Sequence, residues 1–558
     1  MRKFLLAVVL ILQCVAAEAA RFVPEQLIMP VREIRPGMTG YIMTVLKGYT
    51  PERLPVKVVS VAPQKPGREL SDEILIRLTG KHKFAQGMSG SPVYINGRLI
   101  GAVRSGWNLS DHKLGMVAPI ESMCNVFEYG SPSLPLADFM ISGLSLNNSA
   151  VCALADTMGL TFMQGAPLSS QPMTISRERL KPGDSVSALL AWGDVEIGAV
   201  GTVTATARDG RFLAFGHEMN KAGKSSYPAA KTYIHETVDS IRFPFKLGSP
   251  ETIVGTFTED REAATGGKFG VYPPSISAEL VFKNLDNGTE AQSQFRVIVD
   301  EFMSREIIVK VFQALVEECW GRKGQGTMSV SLRIDGPAVP KGWARKDIFF
   351  SDSNIFEEAF KDVQALINAY MIQPFEETMP AGFTLTVEAT QRPKVLLIED
   401  VTLSEDTVEP GGEVGVTVKL RGWRTGIVER SFTMKMPDDA SEGVCELIVR
   451  GGGTEPMSQL SVDEGWKSID SIERMLTEFK AADANNDLVL ELNADKDDAL
   501  KKALARRRSK KREPDLLPEE EEYMSETKER RISEGTLRVF KADYIIEGMM
   551  KRIIHVEK

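Results

Sequence analysis

The feature that most constrains this chain is a series of short apolar runs closed by two-residue turns, which commits much of its N-terminal half to antiparallel β-structure. Val93-Tyr94-Ile95 and Arg98-Leu99-Ile100 flank Asn96-Gly97. Both central positions of a type I′ turn need positive φ, so this dipeptide predicts a tight hairpin. Thr202 to Ala207 and Arg211 to Phe215 flank Asp209-Gly210 in the same way. Glu73 to Leu78 reads as a further strand. Short runs of this kind between about residues 22 and 130 predict an all-β barrel or sandwich. A second β-region opens near Val186 and continues to about Val299.

A chain of 558 residues exceeds one core, and at about 150 residues per domain it predicts three or four. Residues 1–19 form a leader, 22–130 a first β-barrel, 131–182 a Pro/Ser-rich connector and 183–300 a second barrel. Residues 301–393 mix helix and strand. There Ile307, Ile308, Val311, Phe312, Leu315 and Val316 share one helical face, as do Ala359, Phe360, Val363, Leu366, Ile367 and Tyr370. Residues 394–452, with a turn at Glu409-Pro410-Gly411-Gly412, read as a small sandwich. The tail, 453–558, carries a helix near 465–480, a strand at 488–492, and a mixed-charge run over 495–531 that reads as a solvated helix or linker.

The leader has the parts of a secretory signal. Arg2 and Lys3 precede the apolar stretch Phe4 to Val15, and Ala17-Glu18-Ala19 offers small residues for cleavage. The apolar run falls short of the roughly 20 residues a spanning helix needs. The expected product is exported, periplasmic or extracellular, without a membrane span; an uncleaved anchor is the alternative. Gln13 before Cys14 is bulky where a lipoprotein signal wants a small residue. A net charge of −9 from 67 basic and 76 acidic residues argues against nucleic acid as the partner. Cys124, Cys152, Cys319 and Cys445 form no CxxC pair, which disfavours a zinc or thioredoxin-like site. Cys124 with Cys152 is the nearest pair for a disulfide, and free thiols are the alternative. Asp483, Asn485 and Asp487 mimic an EF-hand start, but Leu488 stands where that loop needs Gly and Ala494 where it needs Glu. No metal or cofactor is expected.

The chemistry concentrates in Gly87-Met88-Ser89-Gly90-Ser91-Pro92. A serine nucleophile needs its hydroxyl on a sharp turn with backbone N–H groups aimed at the forming oxyanion. Glycines on both sides of Ser89 permit that turn, and the amides of Gly87 and Ser89 are the candidate oxyanion hole. A serine also needs a base. Of five histidines, His217 in Phe215-Gly216-His217-Glu218 follows a hairpin strand. His82 is a rival seven residues before Ser89 (89 − 82), and His112, His235 and His555 have less in their favour. Asp260, 43 residues after His217 (260 − 217) in the same β-region, is the candidate acid, ahead of Asp72 and Asp111. The alternative for Asp260 is a structural turn and an ion pair with Arg261.

These residues resemble the SpoIVB-type serine peptidase family. The likeness rests on Arg35 to Gly40, Gly87 to Pro92, Gly97 to Val103, Gly201 to Thr204, Leu213 to His217 and Gly255 to Arg261, within roughly residues 25–300. It implies a trypsin-like double β-barrel with Ser89 as nucleophile and His217 as general base. It also implies a protein or peptide substrate, the chain itself included. By the same likeness Ser105, Gly106 and Trp107 form the strand that pairs with substrate. The motifs stand in permuted order, Ser before His, and no PDZ segment is found. The family's acid lies upstream of its Ser motif, where this chain reads Thr79-Gly80-Lys81-His82. The expected fold is therefore mainly β with α+β additions, and the expected function an exported serine endopeptidase working through an acyl-enzyme. The alternative is an inactive, peptidase-like scaffold of the cell envelope.

Overall fold

A computed structural model describes residues 21–63, 72–128, 138–169, 171–220, 223–438, 440–454, 471–493, 528 and 531–557. The expected leader lies outside the described residues, as does nearly all of the charged run 495–531. The chain divides into two units, residues 1–277 with 294–314 and residues 278–293 with 315–558.

The first unit begins with β1 (Thr39–Val45), β2 (Pro51–Ala62), β3 (Glu73–Leu78), β4 (Pro92–Ile95), β5 (Arg98–Ser105) and β6 (Leu114–Pro119), closed as a barrel in the order β1-β2-β3-β6-β5-β4. Closure removes the unpaired edges that a free sheet would expose. On β2, Leu54, Val56 and Val58 point inward between exposed neighbours, the period-2 pattern of a half-buried strand. They meet Ile42, Ile74, Ile76, Val93 and Ile95 in the barrel core. The hairpin between β4 and β5 has φ of 50° at Asn96 and 72° at Gly97, as a type I′ turn requires.

Three short strands follow, β7 (Phe139–Ser142), β8 (Phe162–Gln164) and β9 (Thr174–Ile175), with helix Ser149–Met158 between the first two. The stretch expected as connector thus carries regular structure. The second barrel uses β10 (Ser185–Gly193), β11 (Glu196–Thr206), β12 (Arg211–Ala214), β13 (Gly223–Val238), β14 (Phe245–Arg261) and β15 (Ala264–Phe269). Antiparallel pairs run β10-β13-β14-β15-β12-β11, and β11 returns to β10 from Ser185↔Thr202 onward, so this ring also closes. Two six-stranded barrels in one unit give the mainly β, trypsin-like double-barrel arrangement expected from the sequence.

In the second unit, helix Ile355–Met371 buries all six residues of its expected apolar face. A sandwich follows. Its four-stranded sheet holds Val395–Leu403, Glu413–Gly422, Ile427–Lys435 and Ile545–Glu547. Its five-stranded sheet holds Thr407–Val408, Gly443–Gly451, Asp487–Asn493, Leu537–Lys541 and Met549–Val556. Both sheets therefore draw strands from the tail. Cys124, Cys152 and Cys319 are free thiols, so the disulfide weighed between Cys124 and Cys152 is not formed. Among the described residues no helix is long and apolar enough to cross a membrane.

Candidate active site

The turn Ala85–Ser91 between β3 and β4 is held by its carbonyls. Gln86 O accepts from the Lys246 amide at 2.9 Å, and Met88 O accepts from the Ser91 amide at 2.9 Å. Gly87 O accepts from Thr202 Oγ1 at 2.9 Å. The C=O and N–H of a trans peptide point in opposite directions. Pinning Gln86 O and Met88 O therefore turns the Gly87 and Ser89 N–H groups the other way. The amides of Met88, Gly90 and Ser91 are all used within the protein, whereas those of Gly87 and Ser89 donate to no described residue. They are the pair expected as the oxyanion hole.

Two glycines let the barrels approach here. Gly90 has φ of 87°, and a Cβ there would fall 2.1 Å from Thr202 O and 2.3 Å from Phe215 N. Gly216 has φ of 67°, and its Cβ would fall 2.7 Å from Val103 O. Between them Phe215 also has positive φ, 63°, unusual for a side chain of that bulk. This left-handed pair ends β12 sharply and carries His217 toward the first barrel.

Ser89 and His217 line one cavity of about 260 Å³, together with Gly87, Arg104, Phe215 and Phe243. Ser89 is half-buried, and its hydroxyl bonds no described residue. Ser91, two residues on, is fully buried with Oγ donating to Thr44 Oγ1 at 2.9 Å, so only one serine of the motif faces the cavity. His217 is 5% exposed, and its Nδ1 bonds Glu218 O at 2.5 Å. A carbonyl oxygen can only accept, so Nδ1 carries the proton and Nε2 presents its lone pair. Burial, helped by the Arg104 cation, pushes the imidazole down to about 4, while the bond to Glu218 opposes the shift. Arg104 is held by Glu262 O at 2.6 Å and faces Glu73 at 3.4 Å and Glu218 at 3.7 Å.

Asp260 is buried in the same barrel, with its carboxylate accepting from the amides of Met219 at 2.7 Å and Asn220 at 2.8 Å. Among the described residues the imidazole has no hydrogen bond besides the one to Glu218, so Asp260 orders the loop after His217 without reaching the ring. Arg261 pairs with Glu259 at 2.6 Å. Ser105 and Gly106 line the cavity. A Cβ on Gly106 would fall 2.9 Å from the Phe243 ring, and Trp107 stands beyond the cavity, 46% exposed. His82 and His112 lie outside the cavity wall. His235 bonds Ser249 at 2.9 Å on the β13–β14 hairpin, also outside it.

Sequence reasoning missed Lys246. Its side chain is fully buried and runs against Gly87, with Nζ donating to Thr44 Oγ1 at 2.7 Å and Thr202 Oγ1 at 3.3 Å. Burial pushes it down to about 7. Nothing in Phe243-Pro244-Phe245-Lys246-Leu247 marks it as other than a strand residue.

With this geometry in view, residues 17–124 match the family of the SpoIVB peptidase S55. The match covers the first barrel and Ser89 and ends before His217. No curated protein and no solved structure matches the chain. Over the matched segment the chain is SpoIVB-like, which supports a serine peptidase in general.

Proposed function

We propose that this SpoIVB-like chain is an exported serine endopeptidase with Ser89 as nucleophile, His217 as general base and the Gly87 and Ser89 amides as oxyanion hole. The observation that carries the reading is the convergence on one cavity of a neutral imidazole with a serine hydroxyl and two amides that bond no described residue. In this mechanism Ser89 Oγ attacks the scissile carbonyl and gives its proton to His217 Nε2. The two amides bind the oxyanion as donors already in place when its charge develops. His217 then protonates the leaving amine, and water releases the acyl group by the reverse sequence. The Glu218 carbonyl takes the orienting part that a carboxylate plays in a Ser-His-Asp triad. A base near 4 has less driving force than one near neutrality, which predicts a slow acylation step.

The second reading is an inactive scaffold, favoured by the missing Ser89–His217 hydrogen bond and by the carbonyl in place of a carboxylate. Labelling of the folded protein with a fluorophosphonate separates the two. The peptidase reading expects covalent labelling that Ser89→Ala abolishes and His217→Ala slows by at least about 10²-fold, the lower range for general base catalysis. An unlabelled wild-type protein leaves the scaffold.

A further inference from the structure

We infer that Lys246 is a positioning residue for this site: its buried Nζ, donating to the Thr202 hydroxyl, keeps that hydroxyl turned onto the Gly87 carbonyl and so holds the oxyanion turn open. The inference rests on the reading of Gly87 and Ser89 as oxyanion donors. A threonine hydroxyl has one proton and two lone pairs. The Gly87 carbonyl can only accept, so the Thr202 proton goes to it at 2.9 Å, and the Thr202 oxygen accepts from Lys246 Nζ at 3.3 Å. Thr44 Oγ1 accepts from Lys246 Nζ at 2.7 Å and takes the one Ser91 hydroxyl proton at 2.9 Å, which fixes the other end of the network. The Lys246 backbone meanwhile holds Gln86 O directly, so one residue acts on both carbonyls that flank Gly87, on the second through Thr202.

Among the described residues no carboxylate pairs with this lysine. An ion buried without a counter-ion is costly, and an apolar residue of similar volume is often the more stable choice. A merely structural position is therefore better served by methionine. Below about pH 7, where its amine is protonated, the lysine behind the turn also favours negative charge on the cavity side, where the oxyanion forms.

The test is fluorophosphonate labelling kinetics, resolved into probe affinity and the maximal labelling rate, beside thermal unfolding. Lys246→Met is expected to unfold at the wild-type temperature or above it, to bind the probe within about twofold of wild type, and to label at least tenfold more slowly. Thr202→Val is expected to slow labelling similarly, Thr202→Ser to restore it, and Lys246→Met with Thr202→Val to be no slower than the worse single variant. Should Lys246→Met not fold, Lys246→Gln is read in its place. A wild-type labelling rate in the folded variant, or a loss that tracks a fall in unfolding temperature, overturns the inference while leaving Ser89 as nucleophile. Absent labelling of wild type, or equal labelling of Ser89→Ala, overturns the inference and the peptidase reading together.

Discussion

At the residue scale, His217, the proposed base, is almost entirely buried at the cavity wall. Burial and the Arg104 cation disfavour its charged form, and the resulting value of about 4 keeps the ring neutral through most of the acid range. The acid limb of the labelling rate is therefore expected near pH 4; a limb near 6.5 would mean the imidazole is solvated in the working enzyme. The same shift acts on stability. Below about 6.5 the unfolded chain protonates this histidine while the folded one does not. Its contribution is present above that pH, falls as pH drops toward 4, and changes no further below. Lys246, lowered to about 7 from 10.5, adds a second decline as pH falls between those values. Urea midpoints measured against pH should show the acid decline flattened in His217→Ala. Gly90 is the other exacting position. An alanine there meets both an unfavourable φ and the Thr202 carbonyl. Gly90→Ala should lower the unfolding free energy by about 3 kcal/mol or more, and unchanged denaturant midpoints would contradict the close approach.

At the element scale, the site depends on how β12 ends. Glycines around Ser89 and before His217 are local signals, because positive φ and backbone contact leave a mark on composition, and both motifs could be read before any geometry was known. The residue orienting the imidazole could not. Glu218 acts through its backbone carbonyl, which every amino acid possesses, so spacing arguments look instead for a carboxylate and find Asp260. In the fold that carboxylate holds the Met219 and Asn220 amides. Asp260→Asn retains an acceptor oxygen and should cost less than about tenfold in labelling rate, whereas loss of a triad acid costs roughly 10⁴-fold. Asp260→Ala removes both acceptors and should destabilise the protein by about 3–6 kcal/mol, since each of the two hydrogen bonds to the charged group contributes on the order of 1.5–3. Circular dichroism melts of the two variants separate the roles.

At the scale of the whole molecule, each barrel could be anticipated from its hairpins, but strand partners far apart in sequence could not. The sandwich expected over 394–452 is the clearest case. Strand Gly443–Gly451 pairs on one side with Asp487–Asn493 and on the other with Met549–Val556, across separations no local pattern reveals. Period-2 alternation marks a residue as inward-facing without saying which strand lies opposite. The tail supplies Leu488, Leu490, Leu492, Ile546, Ile554 and Val556 to the shared core. At about 2 kcal/mol for each buried side chain, their loss is comparable with the whole net stability of a domain, about 5–15 kcal/mol. A chain ending at Gly452 should therefore lose the fold of 394–451. Limited proteolysis should cut it rapidly within Val395–Leu403 and Glu413–Gly422, which stay protected in the full chain. Equal protection in both would show that the first sandwich strands form a stable sheet without the tail.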